Sequence, residues 1–266
     1  MEDFKKCFSG WRIHRLTKKF DSKVAMITGA GSGIGRETAI AFADAGVQVL
    51  VTDVNSTAGE ETCKMIRDTG GTAEFTFIDV TKSVSVEAAV QRAVELYGGL
   101  DFALNIAGLG SPSDPYNEES WDQVMEVNLN GVFLCMKHEI AQMLKQEGGA
   151  IVNMASVAGY RGLVVTHPAY VASKHGVVGL TKWAGAKYAA QGLRVNSVSP
   201  GAVRTSLMEK SIEADPSREA AYAAKQPIGR LAKPQEIAEA VLWLCSDSAT
   251  FVTGTNLAVD GGWTAT

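Results

Sequence analysis

Cysteine, histidine and long apolar runs are all sparse in this 266-residue chain. The four cysteines (Cys7, Cys63, Cys135, Cys245) are scattered with no CxxC pair, and the four histidines (His14, His138, His167, His175) complete no metal-ligand spacing. Reduced thiols of a cytoplasmic protein, with no bound metal, are the expectation. No apolar segment approaches the roughly 18 residues of a membrane span. An excess of positive charge is missing too, since 25 Lys and Arg stand against 29 Asp and Glu, a net −4. Such a chain is a poor match for nonspecific binding to nucleic acid or to an anionic membrane. Pro/Ser-rich linkers, internal repeats and low-complexity runs are also absent, which favours one domain.

What is present is the profile of a soluble globular protein, 46% hydrophobic and 20% charged, long enough to bury a substantial core. Residues 1–22 are locally basic and precede the first strand pattern. They hold no apolar signal-peptide core, and Glu2 and Asp3 fit an organelle transit peptide badly. They are expected to form an N-terminal extension, packed on the surface or loose, ahead of a domain over 23–266.

Within that domain short apolar runs alternate with stretches of helical period. Residues 24–28, 47–53, 72–79, 100–107, 150–156, 194–200 and 256–260 read as strands. Between them 34–46, 56–70, 85–98, the long 118–148, the segment around Tyr170 and 234–247 read as helices. This succession predicts an α/β fold, a doubly wound parallel sheet of Rossmann type with helices on both faces. Ligands in such sheets sit beyond the carboxyl ends of the strands.

The first strand runs into TGAGSGIG, 28–35, and then into a helix. Gly29, Gly31, Gly33 and Gly35 permit a tight turn, close backbone approach and an open helix N-terminus, where N–H groups favour a pyrophosphate. The spacing is not GxGxxG, because Ile34 or Arg36 stands where that pattern needs its last glycine. The second strand ends at Asp53, 18 residues beyond Gly35, where a carboxylate accepts hydrogen bonds from a ribose diol and repels a 2′-phosphate. Val54 and Asn55 add no compensating cation, and Arg36 is the nearest residue able to tolerate a phosphate. NAD(H) is therefore expected over NADP(H).

The stretch AYVASKHG, 169–176, sets Tyr170 four residues before Lys174. On a helix these share one face. A phenol has a pKa near ~10, and a neighbouring cation favours its anion. The pair therefore reads either as a proton-carrying tyrosine with its lysine or as an ordinary amphipathic helix with a surface lysine.

Taken in order, these motifs resemble the short-chain dehydrogenase/reductase family from about Lys23 to the C-terminus. TGAGSGIG fits its TGxxxGxG loop. IDV, with Asp79 and Val80, is similar to its adenine contact. NIAG (105–108) stands where the family usually has NNAG, with Ile106 replacing the second asparagine. NLNG carries Asn128, MASVAG carries Ser156, YVASK is the YxxxK motif, PGAVRT is the PGxxxT loop, and VDGG closes the chain. The resemblance implies a catalytic set of Asn128, Ser156, Tyr170 and Lys174. Tyr170 would exchange a proton with the substrate oxygen while hydride moves between substrate and nicotinamide. Lys174 would lower the Tyr170 pKa and hold the nicotinamide ribose, Ser156 would donate to the substrate oxygen, and Asn128 would hold a water that joins Lys174 to solvent. The implied NAD contacts are Gly29, Gly31, Ser32, Gly33, Ile34, Gly35, Asp53, Val54, Asp79, Val80, Asn105, Ala107, Gly108, Tyr170, Lys174, Pro200, Gly201, Val203 and Thr205, the last fixing the carboxamide. The family also implies a homotetramer, built on the long helix, the Tyr170 helix and the C-terminal NLAVDGGW.

The implied activity is hydride transfer between NAD(H) and a small-molecule secondary alcohol or ketone. Two alternatives stand beside it: a 3-oxoacyl-carrier-protein reductase, which would ordinarily use NADP(H), and a dinucleotide-binding regulator without catalysis. A methyltransferase has no need of the Tyr/Lys pair, and a serine hydrolase would want GxSxG where MASVA stands. Gly110, Val157, Tyr160, His167 and Met208 are expected to line the substrate pocket, under a helical lid over 206–230.

Overall fold

The computed structural model of the protein describes residues 20–110, 114–146, 148–164 and 166–266. Seven parallel strands form one sheet in the order β3-β2-β1-β4-β5-β6-β7. They are β1 (Val24–Thr28), β2 (Gln48–Asp53), β3 (Thr72–Phe77), β4 (Phe102–Asn105), β5 (Gly149–Met154), β6 (Leu193–Pro200) and β7 (Asn256–Val259). The helices are α1 (Gly33–Asp44), α2 (Ser56–Asp68), α3 (Ser83–Tyr97), α4 (Glu118–Met125), α5 (Gly131–Met143), α6 (Pro168–Tyr188), α7 (Ser206–Ala214), α8 (Ser217–Ala223) and α9 (Pro234–Cys245). This is the Rossmann-like α/β architecture that the alternating pattern predicts.

Both faces of the sheet are covered, which is why its strands read as continuous apolar runs rather than as alternating ones. In β1, Ala25 and Ile27 join a core under α1, α2 and α9, among Phe42, Ile66 and Ile237. Val24 and Met26 face the other way, into a core under α3, α5 and α6, among Val90, Met136 and Val177. The expected N-terminal extension lies outside the described residues as far as position 19. From Phe20 onward the chain is packed: the Phe20 ring is buried and meets Phe102 edge to face at 5.5 Å.

Several boundaries move for identifiable reasons. β4 spans Phe102–Asn105 rather than 100–107. At its start Asp101 accepts from Val24 N at 2.9 Å, and at its end Ile106 N and Ala107 N, each at 3.1 Å, both donate to Thr28 Oγ1 instead of to a strand. The helix expected over 118–148 is α4, a π-helical turn at Glu126–Asn130, then α5. Single π turns inside helices are frequent at functional sites, and this one carries Asn128.

After β3, at one edge, the chain returns to set β4 beside β1 on the side opposite β2, so the direction of winding reverses between β1 and β4. The loops after these two strands therefore diverge and open a crevice at their carboxyl ends.

Candidate functional site

Three adjoining cavities run along that crevice. The first, of about 400 Å³, is lined by Gly29, Ser32, Gly33, Ile34, Gly35, Asp53, Val54, Asp79, Val80, Ala107, Gly108 and Thr205 among others. The second, of about 250 Å³, takes in Ser156, Tyr170, Lys174, Pro200, Gly201, Val203 and Thr205. The third, of about 970 Å³, shares Ser156, Tyr170, Gly201, Val203 and Thr205 with the second and opens outward. Most of the expected site residues thus meet along one continuous cleft.

The first cavity is built on tight backbone contacts. Gly29 has φ +66°, and a Cβ there would lie 2.8 Å from Ala107 Cα. At Gly35 a Cβ would fall 2.1 Å from Gly29 O, so neither position admits a side chain without backbone movement. Ser32, extended at φ −158°, makes no side-chain cap on α1. The N–H groups and dipole of α1 thus face the cleft uncapped, the arrangement that favours an anionic phosphate. Gly31 N donates to Asp53 Oδ2 at 2.9 Å, and Asn55 N to Asp53 Oδ1 at 2.9 Å. Arg36 turns away from the cleft. Its guanidinium donates to Gly31 O (2.7 Å), Thr62 Oγ1 (3.1 Å) and Glu61 Oε2 (2.7 Å), so it locks the loop and pairs with a carboxylate. Asp79 Oδ1 accepts from Thr81 N at 3.0 Å and Thr81 Oγ1 at 2.7 Å. These residues fit a dinucleotide, with the phosphates at α1 and the adenosine end between Asp53 and Asp79.

Asn105 stands apart. It is buried beneath the cleft and gives its amide to Glu139 Oε2 and Asn153 Oδ1, both at 3.0 Å. Asn153 continues to Thr181 Oγ1 at 3.0 Å. Burial pushes the Glu139 carboxyl up to about 8, against the lowering effect of Asn105. Asn128 is also buried, and both ends of its side chain clamp Leu109, accepting from its N at 2.7 Å and donating to its O at 3.0 Å.

At the junction of the second and third cavities, Ser156 ends the segment after β5. Its Oγ accepts from Ala158 N at 3.2 Å and hydrogen-bonds the Tyr170 side chain. His167 caps α6, its Nδ1 accepting from Ala169 N at 3.2 Å, and Pro168 occupies the first turn, where no N–H is missed. Two residues further on, α6 directs Tyr170 and Lys174 to one face. Lys174 Nζ donates to Met154 O at 2.8 Å and lies 5.6 Å from the centre of the Tyr170 ring.

The charge states correct one expectation. Lys174 was expected to depress the Tyr170 phenol, but burial raises that phenol above its ordinary value, offset only partly by the Ser156 hydrogen bond. Burial also pulls Lys174 down to about 8, and its ammonium points at a carbonyl. Desolvation disfavours charge on both groups.

Of the residues expected to line the substrate pocket, Gly110, Val157 and Met208 do so. Tyr160 instead donates its hydroxyl to Asn256 O, and His167 is taken up by its cap. Thr205, besides lining the cleft, caps α7 by accepting from Met208 N at 3.3 Å. The reading of residues missed Gln226, which is buried. Its Oε1 accepts from Ala202 N at 3.0 Å and its Nε2 donates to Arg230 O at 2.6 Å, fixing the loop after Pro200. A lone glutamine before a turn carries no pattern that marks it. Among the described residues no helix is long and apolar enough to cross a membrane.

Comparison with known proteins bears on the family and the fold. A family model described as enoyl-(acyl carrier protein) reductase matches residues 29–264. The cyclohexanol dehydrogenase of Acinetobacter sp. is 43% identical over 253 residues, covering 94% of this chain and 98% of that protein. The cis-4-hydroxycyclohexanecarboxylate dehydrogenase of Sinomonas cyclohexanicum is 44% identical over 253 residues, covering 94% of this chain and all of that protein. A solved structure of an actinorhodin polyketide ketoreductase variant with NADPH superposes with a TM-score of 0.87 at 37% identity, covering 93% of this chain and 99% of that one.

Proposed function

The chain belongs to the short-chain dehydrogenase/reductase family, and on that premise we propose that it is an NAD(H)-dependent oxidoreductase of secondary alcohols and ketones. One observation carries the reading: Ser156, Tyr170 and Lys174 line one cavity of the cleft, and Ser156 and Tyr170 also line the outer cavity. The nicotinamide, when bound, supplies the hydride acceptor or donor. Tyr170 Oη takes the proton of the alcohol oxygen in oxidation and returns it in reduction. Ser156 Oγ donates to the oxygen on which charge develops. Lys174, held by Met154 O, is placed to bind the ribose and to favour the phenolate as it forms. Asn128 acts on the loop after β4 through Leu109, and Thr205 with Val203 holds the carboxamide end.

Support for NAD(H) comes from Asp53, whose carboxylate lines the adenosine end of the cleft, and from Arg36, whose charge is already paired with Glu61. The same carboxylate speaks against the carrier-protein reductase reading with NADP(H). The relatives named for cyclohexanol and a hydroxycyclohexane acid favour an alicyclic secondary alcohol as substrate. A cytoplasmic homotetramer fits the large apolar residues left exposed on the outer faces of α5 and α6, Phe133 and Trp183, the helices on which the family assembles.

A panel of secondary alcohols with NAD+, followed by nicotinamide absorbance, tests the reading. Reduction with at least one cyclic alcohol is expected. No turnover of any alcohol, or of any corresponding ketone with NADH, would overturn it.

A further inference from the structure

The outer cavity has a pronounced charge imbalance. Arg161, Arg218 and Lys225 line it, and among the described residues no Asp or Glu does. Two of these cations already have partners. Arg161 donates to the C-terminal segment, at Thr266 O (2.8 Å) and Trp263 O (3.4 Å). Arg218 reaches Ser211 Oγ at 2.7 Å and Asp215 Oδ2 at 3.4 Å. Lys225 differs. Its ammonium lies 5.2 Å from the centre of the Tyr222 ring and 5.6 Å from that of Trp263. Among the described residues no carboxylate comes within ion-pair distance of it.

Ring faces attract a cation, by about 0.5–1 kcal/mol at exposed sites, but they do not satisfy three strong N–H donors. A half-buried ammonium between two aromatic faces therefore keeps N–H donors free to bond a ligand in the cavity, and an anion is the strongest acceptor for them. Arg161 adds to the positive potential, whereas the charge of Arg218 is paired with Asp215, and the low-dielectric walls of a cleft focus what remains. The same cavity that holds Tyr170 and Lys225 also has apolar lining from Val157, Leu163 and Met208.

We propose that the outer cavity binds its substrate by an anionic group: a secondary alcohol with an apolar body and a carboxylate remote from the hydroxyl, the hydroxyl at Ser156 and Tyr170 and the carboxylate at Lys225. This rests on the oxidoreductase reading for the hydroxyl end, but the anion site stands on its own residues. Lys225 is then a specificity residue that acts in substrate binding and not on the reacting atoms.

Two measurements separate the claims. In the first, kcat/KM for 4-hydroxycyclohexanecarboxylate is compared with that for neutral 4-methylcyclohexanol. The wild type is expected to prefer the carboxylate by about tenfold or more, chiefly through KM, the size of one charge-assisted contact. Lys225→Met should abolish most of that preference, Lys225→Arg should keep it, and added salt should weaken it. An equal preference in wild type and Lys225→Met would overturn the proposal. The second is calorimetric binding of cyclohexanecarboxylate, which carries no hydroxyl, to the protein in the presence of NADH. Binding by the wild type and its loss in Lys225→Met support the anion site even if no alcohol is turned over, a result that would sink the activity alone. No binding by the wild type overturns the site while leaving the activity to its own test.

Discussion

The backbone N–H of Gly31 donates to Asp53 Oδ2 at 2.9 Å, joining the loop after β1 to the carboxylate at the end of β2. A Cβ on Gly31 would come 2.8 Å from that same oxygen, so the glycine and the acid depend on each other. The carboxylate proposed to select the cofactor also helps shape the loop after β1.

Cofactor choice follows from this pair. Wild type is expected to favour NAD(H) over NADP(H) in kcat/KM, and Asp53→Ala should narrow the gap by about tenfold or more, since one charge contact of ~1.4 kcal/mol corresponds to that factor. Steady-state kinetics with both cofactors checks it. Equal or better use of NADP(H) by the wild type would contradict the role given to Asp53.

A second expectation concerns the buried network below the cleft. The Glu139 carboxyl is fully enclosed, accepts from Asn105, and is raised to about 8 by burial. In the unfolded chain it titrates near ~4.3. Between those values the folded state binds the extra proton, so the stability contributed by protonated Glu139 is complete below the lower value. It is lost as pH rises through the upper one. Glu139→Gln should flatten this part of the pH dependence. Urea midpoints for both proteins from about pH 5 to about pH 8.5 read it out; parallel curves would mean that Glu139 is not buried as a neutral acid.

Assembly gives a third. With Phe133 half exposed on α5 and Trp183 on α6, sedimentation at micromolar concentration should show a tetramer, and Trp183→Glu should shift it toward smaller species. A monomeric wild type would remove the explanation offered for those exposed rings.

The strands and the parallel, doubly wound class of the sheet were legible because burial on both faces of a parallel sheet writes itself as uninterrupted runs such as 24–28, and because the loop after β1 concentrates four glycines. Tyr170 and Lys174 were legible as neighbours on one helix face from their four-residue spacing, but the approach of Ser156 to them was legible only through the resemblance, since it follows β5 and no spacing announces its contact with α6. Side-chain interactions across elements were not legible at all. Thr28 ends β4 by taking two of its following N–H groups, and Arg36 turns back onto Gly31 and Glu61. Asn105 faces Glu139 instead of the cleft. The direction of the Tyr170 shift was misread for the same reason: a Tyr/Lys spacing shows the attraction between the two groups but not the desolvation that both undergo.

The central claim is that Tyr170 carries the proton, and Tyr170→Phe tests it most directly. The variant keeps the ring and removes the hydroxyl that Ser156 bonds. On a substrate confirmed with the wild type, turnover should fall by about 10²- to 10⁴-fold, the range for a lost general acid/base, while NADH binding measured by fluorescence stays within about threefold. Lys174→Ala, by contrast, should lose both turnover and cofactor affinity. If Tyr170→Phe retained near-wild-type turnover, the tyrosine would be packing alone and the mechanism would be wrong.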